Sequence, residues 1–337
     1  MRYSVIIPVY NRPDEVDELL CSLTRQAFTD FEVIVVEDGS TQPCEKECQK
    51  YSDKLALSYF SKENGGPGDS RNYGAVKAQG EWLIILDSDV ILPPTYLNSV
   101  DEGIAASPHL AAFGGPDASH PDFNAMQKAV SYSMTSFFTT GGIRGGKTKL
   151  DKFFPRSFNM GIRRDVYMQL GGFKKMRYGE DIDFSYRIVE GGFSTTLIPE
   201  AWVWHKRRTD LRAFFRQVEH SGAARIALTK LHPGTMKLVH LLPMLFTVGV
   251  CVLILISAAG RILMEYDHSA GSPQAAIDKW YWLCAAPWIP LLLFAALVFI
   301  DSSIRNRSIK VGFLSIATSY TQLLGYGTGF IKAWMGK

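Results

Sequence analysis

Four short apolar runs in the first part of the chain end on polar, turn-forming residues: 4–10, 31–37, 55–60 and 82–86. Between them, 13–27, 44–51 and 67–79 place apolar residues at helical spacing. Apolar runs of strand length alternating with helices predict βαβ units and a parallel sheet buried on both faces. Residues 110–114 are a further candidate strand, and a helix is expected to start near Pro93. The Gly-rich run 141–146 reads as a mobile loop. There is no internal repeat.

The pattern changes after residue 237. Residues 238–260 form a stretch of 23 without formal charge, His240 counted as neutral, between Lys237 and Arg261. Residues 280–300 form a second, of 21, between Lys279 and Asp301. Each is long enough to cross ~30 Å of hydrocarbon as a helix. Pro243, Pro287 and Pro290 are tolerable there, and Trp280, Tyr281, Trp282 and Trp288 read as an interfacial aromatic belt. Residues 311–331 have the length of a third span but carry Ser315, Thr318, Ser319, Thr321, Gln322 and several glycines. A span and an interfacial segment stay open for them. Residues 211–231 alternate basic and apolar positions, as an amphipathic helix on a membrane or a plain packing helix would.

Charge gives these segments an orientation. Eight basic residues between Lys206 and Lys237 precede the first span, and Arg305, Arg307 and Lys310 follow the second. The loop 261–279 holds only Arg261 and Lys279, with three acids. The positive-inside rule then predicts a multi-pass protein of the cytoplasmic (inner) membrane, with its N-terminal domain facing the cytoplasm. The N-terminal run does not read as a signal peptide, which agrees.

Composition narrows the class. Hydrophobic residues are 47% and charged residues 20% of 337, close to a globular average, which excludes global disorder and a disulfide scaffold. The net charge of +3 is too weak for a nucleic-acid binder, so no nucleic-acid partner is expected. Five cysteines suit a reducing compartment. Cys44 and Cys48 make a poor zinc site without further ligands nearby and read as unpaired thiols.

In an open α/β sheet ligands sit beyond the carboxyl ends of the strands. Asn11, the run Glu37-Asp38-Gly39-Ser40 and the run Asp87-Ser88-Asp89 occupy those ends. No Gly-x-Gly-x-x-Gly follows the first strand, and no Walker loop is present, which disfavours dinucleotide and P-loop folds. If the chain stays extended after Leu86, Asp87 and Asp89 face one side. Like charges so close are costly unless a cation joins them, and Mg²⁺ or Mn²⁺ bridging to phosphates suits such oxygen ligands. An Asp-rich helix-capping turn is the alternative.

Several pieces, in order, resemble the family 2 glycosyltransferases of the GT-A fold. They are Ser4-Val5-Ile6-Ile7-Pro8-Val9-Tyr10-Asn11, Val35-Val36-Glu37-Asp38-Gly39-Ser40, Asn64-Gly65-Gly66, Ser70-Arg71-Asn72, Leu86-Asp87-Ser88-Asp89, Gly171-Gly172-Phe173 and Gly179-Glu180-Asp181-Ile182-Asp183. The resemblance covers about residues 3–205. It implies an α/β GT-A catalytic domain, Rossmann-like with a mainly parallel sheet, over 1–208. Within it, 1–115 would bind the nucleotide-sugar and 116–208 the acceptor. A linker helix over 209–237 and a membrane region over 238–337 would follow.

The resemblance also assigns roles. Asp38 would hydrogen-bond the uracil ring, in a pair that here is Glu37-Asp38 where the family more often has Asp-Asp; capping of the next helix competes, above all for Glu37. Backbone around Pro8 and Tyr10 would line the base, and Arg71 would meet the diphosphate or base edge, a surface salt bridge being its alternative. Asp89 would bind Mn²⁺ or Mg²⁺ directly, Asp87 would touch ribose or a metal-bound water, and His205 would stand near the metal. Asp181, with Glu180 second, would be the base that takes the acceptor hydroxyl's proton; both also read as first-turn acids favouring a helix dipole. The processive Gln-x-x-Arg-Trp pattern is not found. The basic run Arg144, Lys147, Lys149 and Lys152 either attracts a lipid phosphate or is simply solvated.

The resulting expectation is a membrane-anchored, metal-dependent inverting transferase. It would move a sugar from a nucleotide-sugar, a UDP-sugar first, to a lipid-linked or glycan acceptor near the membrane, with membrane lipids as further partners. A polyprenyl-phosphate sugar synthase of the same family and a non-catalytic nucleotide-sugar-binding subunit are the alternatives.

Overall fold

Every residue of the first two strands is buried, which is why their sequences show no polar face. In the computed structural model, residues 1–140, 153–176, 178–266 and 272–336 are described. In chain order the elements are β1 (Tyr3–Val9), α1 (Pro13–Leu23), β2 (Phe31–Asp38), α2 (Glu45–Gln49), β3 (Leu57–Lys62), α3 (Pro67–Lys77), β4 (Trp82–Leu86) and β5 (Val90–Ile91). Then come α4 (Tyr96–Ala105), β6 (Leu110–Gly114), β7 (Asp117–Ala118), α5 (Ala125–Thr135), α6 (Phe137–Thr140), β8 (Asn159–Arg163), α7 (Arg164–Gln169) and α8 (Glu180–Glu190). The chain ends with β9 (Ser194–Leu197), β10 (Val203–His205), α9 (Leu211–Leu231), α10 (Leu238–Tyr266), α11 (Pro273–Ala285), α12 (Ile289–Asn306) and α13 (Ile309–Trp334).

The chain divides into two compact units. The first, residues 1–122, 145–206 and 230–232 where described, is the α/β unit. Its main sheet has the order β3-β2-β1-β4-β8-β6-β9. All neighbours are parallel except β8, which runs antiparallel to both β4 and β6. Alternate residues feed two cores. Val5, Ile7, Val33, Val35, Ile84 and Leu86 join α1 and α4 on one face. Ile6, Ile34, Val36, Leu83 and Ile85 join Ala75 of α3, Val166 of α7 and Phe184 of α8 on the other. Each of these valines, leucines, isoleucines and Phe184, fully removed from water, contributes about 1.5–3 kcal/mol.

Two expectations change here. The chain does not stay extended after Leu86: Asp87 leaves the strand, Ser88 and Asp89 form a turn, and β5 starts at Val90. The sheet also contains β8, which no sequence pattern marked, because Asn159-Met160-Gly161-Ile162-Arg163 has only two large apolar residues. A small second sheet, β5-β10-β7, lies beside the turn.

The second unit, residues 123–144, 207–229 and 233–337 where described, is helical. It takes in α5, which the sequence placed with the acceptor half; Asn124 and Gln127 close a reciprocal capping box at its start. Thr318 on α13 donates to the Ala129 carbonyl of α5 at 3.0 Å, and Tyr132 donates to Asp301 on α12 at 2.8 Å. Helix α9 packs on α13 through glycines. A Cβ at Gly222 would overlap the Tyr326 carbonyl, and one at Gly329 the Glu219 carbonyl. Phe214 and Val218 of α9 are buried against Val130 and Met134 of α5, and Leu228 is buried as well. Among the described residues, two helical stretches are long and apolar enough to cross a membrane, Leu238–Tyr266 and Lys279–Asn306. Residues 311–331 fall in α13, whose Ser315, Thr318 and Ser319 are fully buried within this unit. Trp288 donates to Ser257 at 2.8 Å and so serves a helix contact.

Candidate active site

The strand ends carry their polar residues to one edge of the sheet. After β1, Asn11 takes a left-handed backbone with φ 54°, which asparagine tolerates. Its side-chain oxygen accepts from the Thr41 and Gln42 N–H groups at 2.8 and 3.0 Å. Pro8 is buried in β1 opposite Val36, while Tyr10 is half exposed.

After β2, the two acids separate in role. Glu37 accepts the Cys44 N–H at 2.8 Å and the Ser40 hydroxyl, and so ties together the turn that leads into α2. Cys44 and Cys48 beneath it are buried free thiols. Asp38 instead gathers the loop before α3. It accepts from the Gly65 and Gly66 N–H groups at 2.9 and 2.8 Å and from Lys62 at 2.7 Å. Gly66 has φ 90°, a conformation open to glycine that turns this N–H toward the carboxylate. Burial alone would raise the Asp38 carboxyl; the Gly65 N–H and Lys62 outweigh it and hold it below the usual range.

After β4, the turn brings Asp87 and Asp89 together with His205: one ligand atom from each lies within 4.8 Å of the others. The small sheet fixes this group. His205 of β10 pairs with Val90 of β5, and the Lys206 N–H donates to the Asp89 carbonyl at 2.9 Å. Phe158 stacks on the His205 ring at 5.0 Å. His205 Nε2 faces Asp89 Oδ1 at 3.2 Å, and its buried Nδ1 has no hydrogen-bond partner. Two carboxylates suit Mn²⁺ or Mg²⁺, and the imidazole beside them fits Mn²⁺ better than Mg²⁺, which takes oxygen ligands.

Arginines link the remaining acids. Arg71, with only 4% of its side chain exposed, donates to Asp87 at 2.8 Å and to Glu180 at 3.0 Å, and lies over the Phe173 ring. It is therefore a buried bridge, not a surface salt bridge. Arg156 donates from Nε to Asp181 Oδ2 at 2.7 Å, and Arg12 donates to Asp89 Oδ2. Burial would raise the Asp181 carboxyl, but the Arg156 guanidinium, with help from Arg71, holds it below its ordinary value. Burial likewise acts against the Asp89 anion, and His205 and Arg12 reverse it strongly.

Glu180 and Asp181 open α8, after Gly179 with φ 84°. The same helix is held further along by Asp183, fully buried, which meets His232 Nε2 at 2.9 Å and Arg187 at 2.8 Å. His232 Nδ1 meets Glu190 at 2.8 Å, so one imidazole spans the first and last turns of α8. Of the residues marked in the sequence, Asp87, Asp89 and His205 converge, and Arg71 joins Asp87 to Glu180. Arg12, Arg156 and His232 were not marked. Arg12 adjoins the motif residue Asn11; nothing local flagged the other two. Arg144, Lys147, Lys149, Lys152 and the run 141–146 lie outside the described residues.

Residues 4–171 match the family model Glycosyl transferase family 2. Over 93 residues the chain is 44% identical to the poly(ribitol-phosphate) β-N-acetylglucosaminyltransferase TarS of Staphylococcus aureus, which covers 26% of this chain and 16% of that protein. Over 193 residues it is 30% identical to an uncharacterized glycosyltransferase of Haemophilus influenzae, covering 56% of this chain and 62% of the relative. The chain thus spans less than two thirds of the length of these curated relatives. The mannosyltransferase PcManGT of Pyrobaculum calidifontis, solved with GDP-Man and Mn²⁺, shares the fold with a TM-score of 0.57 at 19% identity, over 100% of this chain and 88% of that one. The sheet order, the ordered motifs and these matches agree: the α/β unit has the GT-A fold, and the chain belongs to the family 2 glycosyltransferases.

Proposed function

We propose that the protein is a membrane-anchored, metal-dependent inverting glycosyltransferase that moves a sugar from a nucleotide-sugar, a UDP-sugar first, to a lipid-linked or membrane-proximal glycan acceptor. The observation that carries this reading is the group Asp87, Asp89 and His205 at the strand ends, joined through Arg71 to Glu180. Asp89, His205 and Asp87 would hold Mn²⁺ or Mg²⁺, which when bound offsets charge on the departing nucleotide diphosphate. Structures of TarS with UDP-GlcNAc and of PcManGT with GDP-Man support a nucleotide-sugar donor. Pro8, Tyr10 and the loop that Asp38 organises would receive the base. Arg71, expected to meet the diphosphate or base edge, would instead hold Asp87 for the donor and Glu180 for the acceptor.

In the transfer, the acceptor hydroxyl oxygen bonds to the anomeric carbon as the bond from that carbon to the diphosphate oxygen breaks. Asp181 takes the hydroxyl proton on Oδ1, which already accepts the Ile182 N–H at 2.9 Å and keeps a further lone pair, Oδ2 being held by Arg156. Apolar stretches 238–266 and 279–306 support membrane anchoring, and the basic residues flanking them support a catalytic unit on the cytoplasmic side. One observation favours a second reading. Arg156 keeps Asp181 a weak base, which suits an acceptor already ionised, such as a polyprenyl phosphate. The test is release of free nucleotide from a panel of nucleotide-sugars by the detergent-solubilised chain, with and without Mn²⁺ or Mg²⁺. Metal-dependent release from one donor, lost in Asp89→Ala, supports the transferase. Nucleotide binding without release from any donor, with glycan and lipid-phosphate acceptors both supplied, supports a non-catalytic subunit instead.

A further inference from the structure

Building on the reading of Asp89 as a cation ligand, we infer that Arg12 is an internal counter-cation that must leave Asp89 before a divalent metal binds there, and that it thereby couples metal binding to the donor's diphosphate. Both Asp89 oxygens are already met, Oδ1 by His205 and Oδ2 by Arg12, and only 13% of the side chain is exposed. A metal on Oδ2 therefore has to displace the guanidinium. Arg12 is built for such a move. Its backbone is pinned between Asn11, tied to Thr41 and Gln42, and the first turn of α1, where the Val16 N–H donates to the Arg12 carbonyl at 3.1 Å. Its side chain is long and a quarter exposed, so rotation about its own side-chain bonds can carry the guanidinium away without moving that fixed point.

Besides Asp89, Glu15 and Asp87 act on the Arg12 charge. Asp87 is held by Arg71, and Glu15 lies on the first turn of α1. Metal alone thus uncovers a cation next to a new cation, an arrangement that like-charge repulsion opposes. A nucleoside diphosphate bound through the metal changes this. It brings negative phosphate oxygens within reach of Arg12, which can then exchange a carboxylate for a phosphate partner. Each ligand then improves the site for the other, and the coupling must be reciprocal.

The experiment uses the full chain in detergent and reads free Mn²⁺ by electron paramagnetic resonance during titrations without nucleotide, with UDP and with GDP. Wild type is expected to bind Mn²⁺ weakly alone and more tightly with the diphosphate it prefers. Arg12→Gln is expected to bind Mn²⁺ alone about tenfold more tightly, the factor that loss of an opposing ion pair of about 1.4 kcal/mol implies. The tightening by nucleotide shrinks by a similar factor. Arg12→Lys keeps the charge on a shorter and less directional group and should lie between the two, so it carries the test if Arg12→Gln does not fold. Mn²⁺ affinity unchanged in these variants, or nucleotide coupling kept in full, overturns the inference while leaving the metal site standing. No Mn²⁺ binding by folded wild type, with or without nucleotide, overturns the metal reading and this inference together.

Discussion

Arg156 donates from Nε to Oδ2 of Asp181 across 2.7 Å, so the carboxylate proposed as the base carries its own counter-ion. The pair keeps Asp181 ionised through the neutral range despite its burial. The same ion pair weakens it as a proton acceptor. Asp181→Asn is expected to keep nucleotide binding and lose transfer by about 10²–10⁴-fold, the range of general-base contributions. Steady-state transfer beside calorimetric nucleotide binding checks this. An Asp181→Asn protein that transfers at near-wild-type rate selects the lipid-phosphate acceptor over the hydroxyl.

Asp89→Ala removes the carboxylate that Arg12 and His205 both address. It is expected to abolish Mn²⁺-dependent nucleotide binding while the fold persists, because the small sheet is held there by main-chain pairing and not by the side chain. Calorimetry with UDP and Mn²⁺, beside a circular dichroism spectrum, checks both halves. Metal-dependent binding retained in the folded variant contradicts the assignment.

Much of this arrangement was legible in the sequence, and the reasons are physical. Strands β1, β2 and β4 lie buried on both faces, so they had to be continuous apolar runs, and their polar ends had to mark the ligand edge. Strand β8 was illegible because Gly161 lies under the Phe113 ring, where no side chain fits, so the strand lacks the apolar run that marks its neighbours. Asp87 and Asp89 converge through a turn rather than by strand alternation, which reaches the expected grouping by another route. Arg156 and His232 were beyond reach, since their partners lie 25 and 49 positions away and nothing local announces them.

Arg71 bridges Asp87 and Glu180, with 4% of its side chain exposed. Arg71→Met fills the space but leaves two acids facing each other without it. Breaking a buried pair from one side costs about 3–5 kcal/mol, and the exposure of Asp87 puts this case at the lower end. The variant is expected to unfold at a lower temperature and to bind nucleotide poorly. Arg71→Lys should recover part of the stability, because one ammonium cannot reproduce both guanidinium contacts. Thermal unfolding of the three proteins ranks them; equal melting temperatures for Arg71→Met and wild type rule out the bridge as a stabilising element.

Acid should loosen the α/β unit. Burial would raise the Asp183 carboxyl, but His232, then Arg187 and Lys174, hold it below its ordinary value. Asp89 and Asp181 are held down in the same way. A carboxyl with a depressed folded-state pKa contributes stability that is complete above its unfolded value of about 3.9 and is lost as pH falls through the folded value. Through these groups the melting temperature is expected to change little between neutral pH and about 5, where their contribution is complete, and to fall steeply below about 4. Asp183→Asn should be less stable at neutral pH and show a shallower acid slope. A variant with the wild-type slope removes Asp183 from the account.

The helical unit makes a separate prediction. Gly222 of α9 lies where any Cβ meets the Tyr326 main chain of α13, and main chain cannot rotate aside as a side chain can. Gly222→Val must therefore push the two helices apart. Overpacking of this kind costs about 1–3 kcal/mol. Gly249 on α10 is the control, because a Cβ there meets nothing within 4 Å. At that position a methyl adds helix propensity, about 1 kcal/mol in favour of alanine, without a clash. In detergent or nanodiscs, Gly222→Val is expected to lower the melting temperature and Gly249→Ala to leave it level or raise it. If both behave alike, the glycines of α9 and α13 are tolerated rather than required, and the close helix contact is not what holds this unit together.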